Sequence, residues 1–286
     1  MKWLTVSVCL LSATVAQVVH AGAGLGEALD YAKRGDDQFR FGRYQAAIDD
    51  YTQAIKIEPN DARYYYARAM AEGMSGADDA EWSDLDTVAH LNPHFAGVYN
   101  ARGAIKQKRG DLDGAISDFT SAINLAPQSF KHYCNRGLVK YEKGELEGAA
   151  HDFLQASQLE PSDPYPEIFL WLVRVQQGHS PEANDQLSAF LDKHLDKSTD
   201  HWGSKVCSFL IGKTSESDFL GGKGSYFAFH QQGHECEAWY YVGVRRLLAG
   251  DKNGAADAFR KSRSTNANRF QQYNLAGFEL KRLGKS

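Results

Sequence analysis

The feature that most constrains this chain is a regular proline beat. Pro59, Pro93, Pro127 and Pro161 stand 34 residues apart, and the residues between them vary in step. Within Ala96 to Pro127, two short amphipathic segments meet at Arg109-Gly110-Asp111, and Pro127 closes the second. Proline cannot donate the next helical hydrogen bond, so each one marks a helix end. Gly103 on the first segment and Ala115 on the second let two helices approach closely, while Tyr99 and Phe119 fill the space between crossings. Ala122 keeps the contact with the next hairpin thin. One such hairpin cannot bury its apolar face alone, so it must stack on neighbours, and an all-α solenoid is expected.

The unit recurs along the chain. The first repeat starts near Ala28 and shows Tyr31, Gly35, Gly42, Ala47, Tyr51, Ala54 and Pro59. The second, Ala62 to Pro93, keeps the length and Tyr65 and Ala69, but has Glu81, Leu85 and Val88 where small and aromatic residues stand elsewhere. Its Asp78, Asp79, Glu81, Asp84 and Asp86 form either a solvated face or a docking patch for a basic partner. The fourth repeat, Phe130 to Pro161, has Tyr133, Gly137, Gly144, Ala149, Phe153 and Ala156. A degenerate fifth hairpin runs from Pro164 to about His194, with Gly178 and Ala183 in register. Its first helix is apolar almost all round at Ile168 to Val173, so the segment after 195 or a second subunit must cover it.

The expected layout is therefore a signal peptide at 1–21, a short linker at 22–27, the repeat solenoid at 28–195, and an irregular helical and loop segment at 196–233. A hairpin with a capping helix follows at 234–286. In the first of these, Lys2 precedes a mostly apolar run from Trp3 to Val19, and cleavage fits after Ala21 or after Ala23. The polar Ser7, Ser12, Thr14 and Gln17 weaken it as a spanning helix. Export across the inner membrane to the periplasm, with a soluble mature protein, is expected; the alternative is an uncleaved membrane anchor. In the last segment Trp239, Gly243, Gly250, Ala255 and Phe259 restore the pattern, and Asn268 to Leu283 reads as a terminal helix with basic residues on a wet outer face.

Composition narrows the partners. The formal net charge of −4 argues against nucleic acid, which needs a surplus of Lys and Arg. An odd set of cysteines remains after residue 21: Cys134, Cys207 and Cys236. Either Cys207 and Cys236 bridge, or all three are small buried hydrophobes.

One charge pair repeats with the same period. Arg34, Arg68, Arg102 and Arg136 precede the first-helix Gly or Ala, and Asp50, Asp84, Asp118 and Asp152 precede the second-helix Tyr, Leu or Phe. Each Arg is expected to bridge to the Asp of its own hairpin and fix helix register. The alternative is an arginine ladder for an acidic ligand.

Catalytic and cofactor signatures are weak. Gly212-Lys213-Thr214 resembles the end of a phosphate-binding loop, but Cys207 stands where that loop needs glycine. His230, His234, Glu235 and Cys236 are of metal-ligand type, yet no second cluster supplies a fourth ligand. No metal, cofactor or catalytic residue is assigned. A metal-binding or enzyme-accessory module at 221–236 is the alternative function, and a structural homodimer through 168–173 is another. The stack instead offers an inner face, where Arg63, Tyr66, Met70, Asn100, Lys108, Lys131, Leu138 and Tyr141 have the composition of a groove for a protein or peptide.

The repeat spacing resembles that of the tetratricopeptide repeat (TPR) superfamily, which implies a right-handed TPR solenoid of helix-turn-helix hairpins with a capping C-terminal helix. TPRs that grip a C-terminal carboxylate use Lys and Asn at set positions, and Ala32, Asp36, Ala67, Gly97 and Ala101 stand there instead. Leu170-Trp171-Leu172, His201-Trp202-Gly203, Phe209 to Gly212 and Cys236 to Phe259 are similar to NlpI-type periplasmic TPR proteins. That resemblance implies a non-catalytic, dimerising scaffold or adaptor that brings a protease to cell-wall hydrolases. Those proteins are outer-membrane lipoproteins, whereas Cys9 here follows Val8 and lacks a usable lipidation context.

Overall fold

The computed structural model describes residues 26–194, 202–221, 232–267 and 271–285. Among these residues there are fifteen helices and no strand, packed as consecutive hairpins. The chain forms two compact units, Met1–Lys106 and Gln107–Ser286. The first holds α1 (26–40), α2 (Tyr44–Ile57), α3 (Ala62–Ser75), α4 (Asp78–Leu91) and most of α5 (Ala96–Lys108). The second begins with the end of α5 and continues through α6 (Leu112–Leu125), α7 (Phe130–Lys143), α8 (Leu146–Leu159) and α9 (Pro164–Gln176). Then follow α10 (Ser180–His194), α11 (Trp202–Leu210), α12 (Glu216–Phe219), α13 (Gln232–Leu248), α14 (Lys252–Ser264) and α15 (Gln271–Arg282).

The proline beat acts through the residue before each proline. A following proline ring pushes its predecessor out of the helical region. Glu58, Asn92, Ala126 and Glu160 accordingly sit at ψ of 78°, 82°, 71° and 79°, each as the cap of the helix it ends. The opposite turn of each hairpin is set by glycine. Gly42, Gly76, Gly110, Gly144 and Gly178 all have φ between 72° and 88°, a region where a Cβ costs roughly 1–2 kcal/mol. Gly212 (φ 80°) continues the same 34-residue step. The segment expected to be irregular therefore keeps the beat: α11, Gly212 and the short α12 form a truncated hairpin.

Small residues set how closely paired helices approach. A Cβ at Gly35 would lie 2.7 Å from the Tyr51 ring, and one at Gly137 would lie 2.9 Å from the Phe153 ring. In each pair the two residues are sixteen apart.

The apolar α9 lies at the centre of the second unit. Ile168 to Val173 are all buried, in a core shared with Val206, Phe209, Tyr240 and Phe259. Of the two covers the sequence allowed, the structure uses the segment after 195: α11 packs on α9 beside its neighbours α8 and α10, and Tyr240 and Phe259 share the core. A homodimer built through the 168–173 helix is thereby corrected, because those side chains are already enclosed. Cys134, Cys207 and Cys236 are buried thiols. Burial pushes Cys134 and Cys207 up to about 12.

Candidate protein-binding surfaces

The repeated arginines are paired within the fold, Arg34 from a largely exposed side chain and Arg68 and Arg136 from half-buried ones. Arg34 Nε donates to Asp50 at 2.9 Å. Arg68 binds Asp84 through Nε and Nη2 at 2.7 and 2.8 Å, and Arg136 binds Asp152 the same way at 2.9 and 2.7 Å. Arg102 and Asp118 fall one in each unit. Arg102 stands 4.0 Å from Asp86 and lies over the Trp82 and Tyr99 rings.

A third partner was missed in the sequence. The free end of Arg68 donates to Thr52 Oγ1 at 3.0 Å, and that of Arg136 to Thr120 Oγ1 at 3.1 Å. Each threonine lies sixteen residues earlier, on the second helix of the preceding hairpin, where Asp86 stands for Arg102. Each guanidinium also lies over the Tyr three residues before it, as Arg68 does over Tyr65 at 5.7 Å. Bidentate pairing, a cross-hairpin bond and an aromatic face fit an arginine that zips hairpins together.

The eight inner-face residues divide evenly between the units. In the first, Arg63 is exposed and paired with Asp61, while Tyr66, Met70 and Asn100 are half-buried. Tyr66 meets Phe95 edge-on with ring centres 4.6 Å apart. Its hydroxyl passes so near Gly97 that a Cβ there would lie 3.1 Å away. Glycine at that position leaves room for the Phe95 ring and the Tyr66 hydroxyl where α3 approaches α5.

In the second unit Lys108 and Lys131 are exposed, but Leu138 and Tyr141 are each only 2% exposed. These two are corrections to the expected groove. The C-terminal helix α15 reaches α7: Gln271 donates to Asn135 at 2.9 Å, the Tyr141 hydroxyl donates to Glu279 at 2.9 Å, and Tyr141 packs edge-on against Phe278. Nothing local marks this, since Tyr141 and Glu279 are 138 residues apart.

Glu237 forms a second feature that sequence reasoning missed. Its carboxylate is buried where α9, α11 and α13 meet, accepting from the Tyr165 hydroxyl at 3.0 Å and from the Trp202 indole N–H. Trp202 in turn stacks on Phe219 and on His234. Burial pushes Glu237 up to about 7, against lowering by its two hydrogen bonds. A carboxyl raised in the fold gives stability that is complete below its unfolded value of 4.5 and fades as pH rises through about 7. Glu237→Gln keeps both partners, since the amide oxygen accepts from Trp202 and the amide N–H donates to Tyr165. The variant is therefore expected to match wild type near pH 4.5 and to exceed it at pH 8 by about 3 kcal/mol. Urea unfolding across that range checks this, and an equal difference at both ends would rule out the titration.

Of the metal-type residues, His230 lies outside the described residues, and His234 stacks flat on Trp202 with ring centres 4.7 Å apart. Among the described residues no group of three or more His, Cys, Asp and Glu is placed to hold a metal. No helix among them is long and apolar enough to cross a membrane.

Residues 35–74 match a family model described as TPR repeat, and residues 100–165 match one described as tetratricopeptide repeat. The human small glutamine-rich tetratricopeptide repeat-containing protein beta is 40% identical over 52 residues, which are 18% of this chain and 17% of that protein. The chain thus spans about a sixth of that relative's length. Two solved structures share the fold. MamA from Desulfovibrio magneticus has a TM-score of 0.55 at 18% identity, covering 60% of this chain and 98% of its own. The Pseudomonas aeruginosa pilF protein has a TM-score of 0.55 at 14% identity, covering 90% and 99%. These matches support the TPR repeat family, whose members mediate protein–protein interaction and scaffolding.

Proposed function

We propose that this chain, carrying tetratricopeptide-repeat segments, is a non-catalytic adaptor that holds a protein or peptide partner in the cell envelope. On the sequence resemblance to NlpI-type proteins, the partner is a protease or a cell-wall hydrolase that the adaptor brings to its target. Export follows the sequence reading of residues 1–21, which lie outside the described residues. The observation that carries the proposal is the strip on α3 and α5, where Arg63, Tyr66, Met70 and Asn100 mix charge, aromatic surface and amide on successive first helices. Aromatic and Met side chains beside Arg are the residue types enriched at binding surfaces. The arginine ladder contributes rigidity, with Arg34, Arg68 and Arg136 held by the carboxylates of their own hairpins.

The test is crosslinked capture from envelope extracts, comparing wild type with an Arg63→Glu/Met70→Ala variant of unchanged unfolding midpoint. The variant is expected to lose a defined partner by about tenfold, in line with removal of an interface anchor. Recovery of the same proteins at the same yield would overturn this binding face.

A further inference from the structure

We infer that the second unit has a separate site, a cleft between the α5–α6 turn and α15, that binds an acidic peptide segment of a partner protein. The cleft has a volume of about 580 Å³, in the range of pockets that enclose a ligand. Lys108 and Arg109 line it from the turn, Arg263 from the end of α14, and Lys281 from α15. Glu142 of α7 is its one carboxyl. Four cations to one carboxyl is a strong local bias in a chain with 32 basic and 36 acidic residues, and such a bias attracts and orients a complementary partner.

The walls favour a peptide over a small anion. Tyr273 and Phe278 line the α15 side, an apolar surface that a bare anion does not use. The Arg263 guanidinium is already placed over the Tyr273 ring at 3.8 Å and donates to the Tyr273 carbonyl at 3.4 Å, so its orientation is fixed before a ligand arrives. The cleft is open beside the two glycines that line it. A Cβ at Gly277 would meet nothing nearer than the Arg263 guanidinium at 3.5 Å, and one at Gly110 would meet nothing within 4 Å. Glu142 accepts from Gln107 at 2.8 Å, and burial pushes it up to about 7, which reduces its repulsion of an incoming carboxylate near neutral pH.

Of the expected inner-face residues only Lys108 lines this cleft, so it is distinct from the α3–α5 strip. The inference rests on the adaptor reading in taking the ligand to be part of a protein.

The test uses the full chain and a fluorescein-labelled peptide of alternating Glu and Asp around one Phe, followed by fluorescence anisotropy. The peptide is expected to bind wild type and to lose about tenfold or more in affinity against Lys108→Glu/Lys281→Glu, two exposed positions. Asn274→Glu, on the exposed side of the same cleft, is expected to weaken binding in the same direction with an unchanged unfolding midpoint. A peptide with Gln for every acid is expected not to bind. Equal affinity for the charge variants, equal affinity for the Gln peptide, or no binding at all would overturn the site. Displacement by millimolar inorganic phosphate would also overturn it, by showing a simple anion site. Running the envelope capture on the cleft variant separates the two readings: unchanged capture with lost peptide binding leaves both standing. No peptide binding with intact Arg63-dependent capture removes the cleft alone.

Discussion

Asp152→Ala is expected to destabilise the second unit by about 3–5 kcal/mol, the usual effect of breaking a buried ion pair from one side. Asp152 is fully buried and receives Arg136 at 2.7 Å and Lys140 at 2.9 Å. Removing the carboxylate strands two cations at a site with little water. The same substitution at Asp50 is expected to do far less, because the Arg34 side chain is 59% exposed and water can replace its partner. Urea unfolding, with hydrogen exchange read on α7 and α8, measures the difference. An equal loss at both positions would show that burial does not grade the ladder. The triple variant Arg136→Met/Lys140→Met/Asp152→Leu, which leaves neither cation without its partner, is expected to recover most of the loss, which separates the stranded charge from any net worth of the pair.

Phe259→Ala is expected to cost about 3–5 kcal/mol through the cavity it leaves. Phe259 is fully buried against Tyr240 and over Gly243, where a Cβ would lie only 2.4 Å from its ring. Gly243→Ala overpacks the same spot and is expected to cost about 1–3 kcal/mol. Because the two side chains compete for one volume, Gly243→Ala/Phe259→Leu is expected to be less damaged than the sum of its single variants. Strict additivity in unfolding measurements would mean that the close approach of α13 and α14 is not set by this pair.

Much of the fold was legible because its signals are short-range. Pro59, Pro93, Pro127 and Pro161 act on the residue before them, and Gly144 acts on its own φ. Arg68 and Asp84, sixteen residues apart, occupy matching points on the two helices of one hairpin. One short-range signal is masked by its neighbours: Gly212 stands 34 residues after Gly178, but Lys213 and Thr214 beside it give the stretch the look of a broken phosphate loop. The inner face was harder to read. Arg63, Tyr66 and Met70 could be placed on a first helix from spacing alone, whereas the burial of Tyr141 depends on α15, 138 residues later. Glu237 was likewise invisible, since its partners Tyr165 and Trp202 come from two other helices.

The sequence by itself determined the helical hairpins, their period and the packing of small against aromatic residues, because each follows from backbone sterics and contacts within about one repeat. Only the tertiary structure decided which surfaces remain for a partner. Whether Tyr141 faces water, and whether Lys108 and Lys281 line one cleft, depends on how a helix at the chain's end packs on helices far earlier. That packing is fixed by the summed burial of many side chains, and no local spacing in the sequence encodes it.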